Sequence, residues 1–149
     1  PTRHEARVAA LVNGRFVIPL GDANHKVVSD PSFFPPRLMQ PTWYSPARVL
    51  AFFPHAHVRG KAMKFELTGE TGAATRTLLE VPRYDFNWQL EYQLAAPIDV
   101  PEGTVLKATA WYDNSDKNPA NPDPAKTVRF GEQTSDEMMI GYFTGHRLP

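Results

Sequence analysis

The chain has 149 residues, enough for one domain with a sizeable core and too few for two full ones. Lysine plus arginine and aspartate plus glutamate number 16 each, so no basic field exists to hold nucleic acid, which is not expected as a partner. With no cysteine in the chain, disulfides, zinc thiolates and thiol nucleophiles are excluded, and any metal must take His, Met or oxygen ligands.

Fifteen prolines, nine glycines and 11% aromatic residues suit many short strands and turns better than a helical bundle. The strand candidates in chain order are RVAALV, RFVIPL, HKVVS, RVLAFFPHAHV, KAMKFELT, TRTLLEV, NWQLEYQL, VLKATAWY, TVRF and MMIGYF. Period-two alternation is clearest in NWQLEYQL, where Trp88, Leu90, Tyr92 and Leu94 share one face. KAMKFELT directs Met63, Phe65 and Leu67 inward, and the β-branched and aromatic content of residues 105–112 supports a strand there. Turn signals such as TGETG, DVPEG and DNSDKNPANPDP separate the runs, and no amphipathic helix of ten residues is evident. The expected architecture is all-β, an antiparallel β-sandwich with a jelly-roll-like strand order, over residues 1–149 as one domain.

Two segments stand outside this scheme: residues 29–47, proline-rich and aromatic, and residues 113–126, rich in Pro, Asn and Asp; both are expected to be ordered surface loops. Residues 113–126 fail as a calcium loop, since Pro119 falls where the tight-turn Gly belongs, and read instead as a turn built on Asx hydrogen bonds. No apolar run approaches the roughly 18 residues of a membrane helix, so no membrane span is expected. The N-terminal PTRHEARVAA lacks the apolar centre of a signal peptide, and a first residue of Pro rather than Met suits a processed product or a segment of something longer.

The stretch FFPHAHVRG uses two of the chain's five histidines one residue apart. On a strand, residues i and i+2 share a face about 7 Å apart, so His55 and His57 can address one ion. By parity with Val49, Ala51 and Phe53 both fall on the inward face, where an unpartnered imidazole pair is costly. The alternative is a pair of ordinary polar residues at a strand end. A metal there needs a further ligand: a third His, a carboxylate or a thioether. Thioethers suit copper, particularly Cu(I), so a His, His, Met set would select copper over zinc. Met39, Met63, Met138 and Met139 are each a core filler by default.

PHAHVRG, LLEVPRYDFNWQLEYQLAAP, YDNSDKNPANPDP and VRFGEQTSDEMMIGYF, in this order, resemble the C-terminal domain of the copper type II, ascorbate-dependent monooxygenases. That family includes the peptidylglycine α-hydroxylating and dopamine β-monooxygenases, and the likeness is to bacterial members. The resemblance runs from IPLGDANHKV to GYF and implies a β-sandwich, reached independently from the alternation. It implies copper ligands His55, His57 and Met138, the last carried on the motif DEM, with Met139 the runner-up. It implies hydroxylation of an unactivated C–H bond of a small-molecule or peptide substrate by dioxygen, with ascorbate as electron source, outside the cytoplasm: periplasmic, secreted or at the cell surface. The family's electron-delivering copper uses three histidines, including an adjacent pair, on a preceding domain. Only His4, His25 and His146 remain here, scattered, so a preceding copper domain or other protein subunits are expected partners. The disulfides of animal members are also absent.

His25 reads as a turn histidine at a strand start, and His4 and His146 as exposed terminal residues. Arg59 and Arg83 could fork a substrate carboxylate, with surface ion pairing the expected role; Tyr84, Trp88 and Trp111 are expected core aromatics. The alternative function is a non-catalytic β-sandwich module, with or without copper, in a secreted or cell-surface assembly, motivated by Phe33, Phe34, Trp43 and Tyr44 as an adhesive patch.

Overall fold

The computed structural model describes residues 5–30, 46–69 and 75–149. Among them ten strands form: β1 (Arg7–Val12), β2 (Val17–Ile18), β3 (His25–Val28), β4 (Ala47–His55), β5 (Gly60–Gly69), β6 (Arg76–Val81), β7 (Tyr92–Val100), β8 (Thr104–Tyr112), β9 (Val128–Arg129) and β10 (Ile140–Arg147). Each of the ten apolar or alternating runs contributes a strand. No helix among the described residues is long and apolar enough to cross a membrane.

β1 pairs with β10, β2 with β9, β3 with β8, β4 with β7 and β5 with β6, all antiparallel. The chain is therefore one long hairpin whose tip lies between β5 and β6. Two more pairings, β10 with β4 and β5 with β8, roll it into the four-stranded sheets β1-β10-β4-β7 and β3-β8-β5-β6, with β2-β9 as a ribbon. Rolling a hairpin in this way produces a jelly-roll sandwich. Gly103, at φ 76°, occupies the turn into β8, where the left-handed backbone favours glycine.

The core lies between the two sheets. Phe52 of β4 meets Phe65 of β5 at 4.5 Å between ring centroids, and Tyr112 stacks on Phe16 at 5.7 Å. Met63, Phe65, Ala108, Met139 and Phe143 are also buried there. Burial of each large apolar side chain contributes about 1.5–3 kcal/mol.

Several expectations need correction. The alternation of Val49, Ala51 and Phe53 does not carry through β4, because the pairing slips between Val49 and Ala51 against both neighbours. That bulge at Leu50 reverses the parity, so Phe52, Pro54 and Ala56 are buried while Phe53 and His55 lie on the other face. The strand expected over residues 87–94 starts only at Tyr92, leaving Trp88 69% and Leu90 44% exposed. Turn chemistry wins there: Asp85 accepts hydrogen bonds from the backbone of Asn87 and Trp88, and the β4–β7 ladder has already ended at Phe52–Tyr92. Arg59, expected in a surface ion pair, has no exposed surface.

Of the other aromatics, Tyr84 packs against the core, whereas Trp111 is half-buried outside it beneath Lys26 and Lys64, each 6.0 Å from its ring. His25 opens β3 and bonds Asp22 at 3.0 Å, as a turn histidine should. His146 is a half-buried member of β10 rather than an exposed end. Residues 113–126 form the expected Asx-rich turn: Asn114 alone bonds Pro19, Lys126, Arg59 and Asn121. His4, Met39 and the four aromatics Phe33, Phe34, Trp43 and Tyr44 lie outside the described residues.

Candidate metal centre

β4 ends at His55, and a tight turn closed by the Gly60 N–H on the His57 carbonyl (3.0 Å) leads into β5. Between the histidines, Ala56 is pinned by one group. The Tyr84 hydroxyl donates to its carbonyl at 2.7 Å and accepts from its N–H at 3.1 Å. Gly60 leaves room for that ring, since a Cβ there would sit 2.9 Å from Tyr84 and 2.7 Å from Ala56.

The two imidazoles stand edge to face with centroids 5.5 Å apart. His55 Nδ1 lies 2.7 Å from Gln89 Oε1, and the Gln89 amide is oriented by its own donation to the Phe86 carbonyl at 3.0 Å. His57 Nδ1 lies 3.4 Å from the Asp136 carbonyl. Both partners are acceptors, so each ring carries a proton on Nδ1, and the Gln133 carbonyl also faces the His57 ring. Burial holds the His57 pKa below the usual histidine value, against the Asp136 carbonyl bond that opposes it and with His55 as a like charge that assists. His57 thus stays neutral at pH 7, the form that can ligate a metal. Phe86 packs edge-on against it at 6.1 Å.

Met138 precedes β10 by two residues, half-buried, on the sheet face that carries Ile140 and Tyr142. Ile140 pairs with His55 and Tyr142 with Phe53, and the paired register ends there, two residues short of Met138. Its main chain is fixed at both ends: the N–H donates to Glu137 Oε2 (3.2 Å) and the carbonyl accepts from the Tyr112 hydroxyl (2.7 Å). Met139 points the other way and is fully buried among the core residues, as is Met63.

Beneath the site lies a polar group that the sequence reading passed over. Glu137 has no exposed surface, yet its carboxylate accepts three backbone N–H bonds, from Arg59 to Oε1 (2.7 Å) and from His57 (2.7 Å) and Met138 to Oε2. Burial pushes its pKa up to about 7, against the pull of those three donors and the Arg59 charge. Arg59 is buried alongside, bonded to Asn114 Oδ1 (2.8 Å) and the Ser135 carbonyl (2.9 Å). Gln89 gave no signal because it falls among the polar positions of the expected strand NWQLEYQL, and Glu137 entered only as part of the motif DEM.

Among the described residues no three His, Cys, Asp or Glu side chains converge on a common point. Two imidazoles joined by a thioether would make a donor set with the softness that suits copper.

A structure of infectious bursal disease virus, Gt strain, is similar over 97% of this chain and 31% of that chain, with 11% identity and a TM-score of 0.28, too low to support any argument. No curated protein matches. The family described as copper type II ascorbate-dependent monooxygenase, C-terminal domain, matches residues 43–145, which include His55, His57 and Met138. That match covers more than two thirds of the chain, and the chain belongs to the copper type II ascorbate-dependent monooxygenase family through its C-terminal domain.

Proposed function

We propose that this chain is a copper-dependent monooxygenase domain in which His55 and His57, through Nε2, and Met138, through its thioether, hold the copper that meets dioxygen. The observation that carries this reading is the pair of rings, side by side, each with its Nδ1 taken by an oxygen acceptor. Bound copper would supply the one-electron chemistry and dioxygen binding that hydroxylation of a C–H bond requires. The chain's own residues do the rest. Gln89 and the Asp136 carbonyl aim the imidazoles, Tyr84 fixes the backbone between them, and Phe86 shields one side of His57. A thioether is a weak, soft ligand that favours Cu(I), the state that reacts with dioxygen.

Residues 1–149 are proposed to act as one such domain beside a preceding copper domain or another subunit that delivers electrons from ascorbate, because the five histidines include no adjacent pair. The substrate is a small molecule or peptide, and the setting extracytoplasmic. A second reading, a non-catalytic module of a secreted or cell-surface assembly, draws on the exposed Trp88 and Leu90. Copper titration of the full chain separates the two. The first reading predicts one equivalent bound, lost in the His55→Ala/His57→Ala variant, and oxygen uptake by the ascorbate-reduced copper form; a chain that binds no copper tightly leaves the second.

A further inference from the structure

We propose that Glu137 is a positioning residue for the metal centre, its carboxylate setting the spacing between the His57 and Met138 main chains; this rests on the copper reading above. One oxygen atom, Oε2, accepts the N–H of both candidate ligands, His57 at 2.7 Å and Met138 at 3.2 Å. The two residues are remote in sequence and meet only because β4 and β10 are neighbours.

The reason a side chain is needed lies in the ladder. Regular pairing between β4 and β10 stops at His55–Ile140, just before the ligand-bearing segments. Beyond that point the strands part, and the N–H groups of His57, Arg59 and Met138 would be buried without ladder partners, at a cost comparable to a lost hydrogen bond each. Glu137 reaches into the gap and satisfies all three. A carboxylate is an expensive group to bury, and it is tolerated where several donors converge on it. Three donors do so, two of them belonging to candidate ligands. The neighbouring bonds limit its freedom. Glu137 N–H donates to the Arg129 carbonyl (3.2 Å), its carbonyl accepts from Gly131 (3.1 Å), and Tyr112 holds Met138 from the far side. The carboxylate therefore acts as a rigid spacer, which a thioether on a flexible side chain requires if it is to reach the same ion as two fixed imidazoles.

The test compares wild type, Glu137→Gln and Glu137→Asp by X-ray absorption of the reduced copper form, Cu(I) affinity and thermal unfolding. Leu106→Ala, a core change in the other sheet, serves as a control for lost stability. Glu137→Gln replaces one acceptor oxygen by an NH2 group. It should retain copper on the histidines while the sulfur contribution weakens or disappears and Cu(I) affinity falls about 10–100-fold. Glu137→Asp, which keeps two acceptor oxygens, should restore part of both; Leu106→Ala should leave both unchanged. An unaltered sulfur contribution and affinity in folded Glu137→Gln overturns the proposal and leaves the ligand reading intact. A wild type without sulfur overturns both. Amide exchange in the wild-type chain gives a reading that needs no variant: the His57 and Met138 N–H groups should be protected without copper and little changed by it. Protection that arises only on copper binding contradicts a preset spacing.

Discussion

Gln89 Oε1 lies 2.7 Å from His55 Nδ1, and the other end of the same amide is tied to the Phe86 carbonyl. This relay fixes both the tautomer and the tilt of the His55 ring from a surface loop that contributes little to the core. Gln89→Ala should therefore leave Tm nearly unchanged and weaken copper binding about 10-fold or more. Isothermal titration with Cu(II) beside thermal unfolding checks the separation; equal loss in both would assign Gln89 a structural role only.

Tyr84 works on the backbone instead. Its hydroxyl satisfies both the N–H and the carbonyl of Ala56 from a half-buried position, and burial pushes the phenol pKa well up, so it stays protonated. Tyr84→Phe strands both groups and should cost about 1–3 kcal/mol, measured by denaturant unfolding.

At the sheet interface, a Cβ at Gly141 would sit 2.7 Å from the Phe65 ring and 2.8 Å from Ala108, both fully buried on the opposite sheet. At Gly141 the opposite sheet leaves no room for a side chain. Gly141→Ala should destabilise by about 1–3 kcal/mol through overpacking, a fall in Tm of roughly 2–4 °C per kcal/mol.

Glu66 provides a pH signature away from the histidine pair. Burial pushes its pKa up, but Lys64 at 2.8 Å and Lys107 at 3.3 Å outweigh burial and hold it below the ordinary value of 4.5. A carboxylate depressed in the folded state adds stability that is present above its unfolded pKa and lost as pH falls through the folded one. Unfolding free energy should decline as pH drops below about 4.5, and less steeply in Glu66→Gln. Identical pH slopes for the two proteins would contradict the assignment.

The strands were legible because alternation and turn residues are local. Runs such as VLKATAWY have partners on both sides, and nothing competes with their pattern. The orientation of the histidine pair was not legible, because one extra residue at Leu50 reverses the parity and a bulge leaves no mark in composition. Trp88 misled for a different reason: Asp85 offers its neighbours an Asx turn that outcompetes a strand with no partner. Arg59 read as a surface charge, since only the fold buries it beside Glu137 beneath the histidine pair. The histidines and Met138 stood out through chemistry and resemblance, whereas Gln89, Glu137 and the Ala56-pinning role of Tyr84 depend on contacts made across the sandwich.

The central claim is that His55, His57 and Met138 bind one copper. X-ray absorption of the ascorbate-reduced chain, loaded with one equivalent of copper, addresses it most directly in wild type, Met138→Ala and Met139→Ala. The account predicts a sulfur scatterer beside nitrogen scatterers in wild type, absent from Met138→Ala and retained in Met139→Ala. A wild-type copper site with no sulfur, or one whose sulfur survives in Met138→Ala, would contradict it.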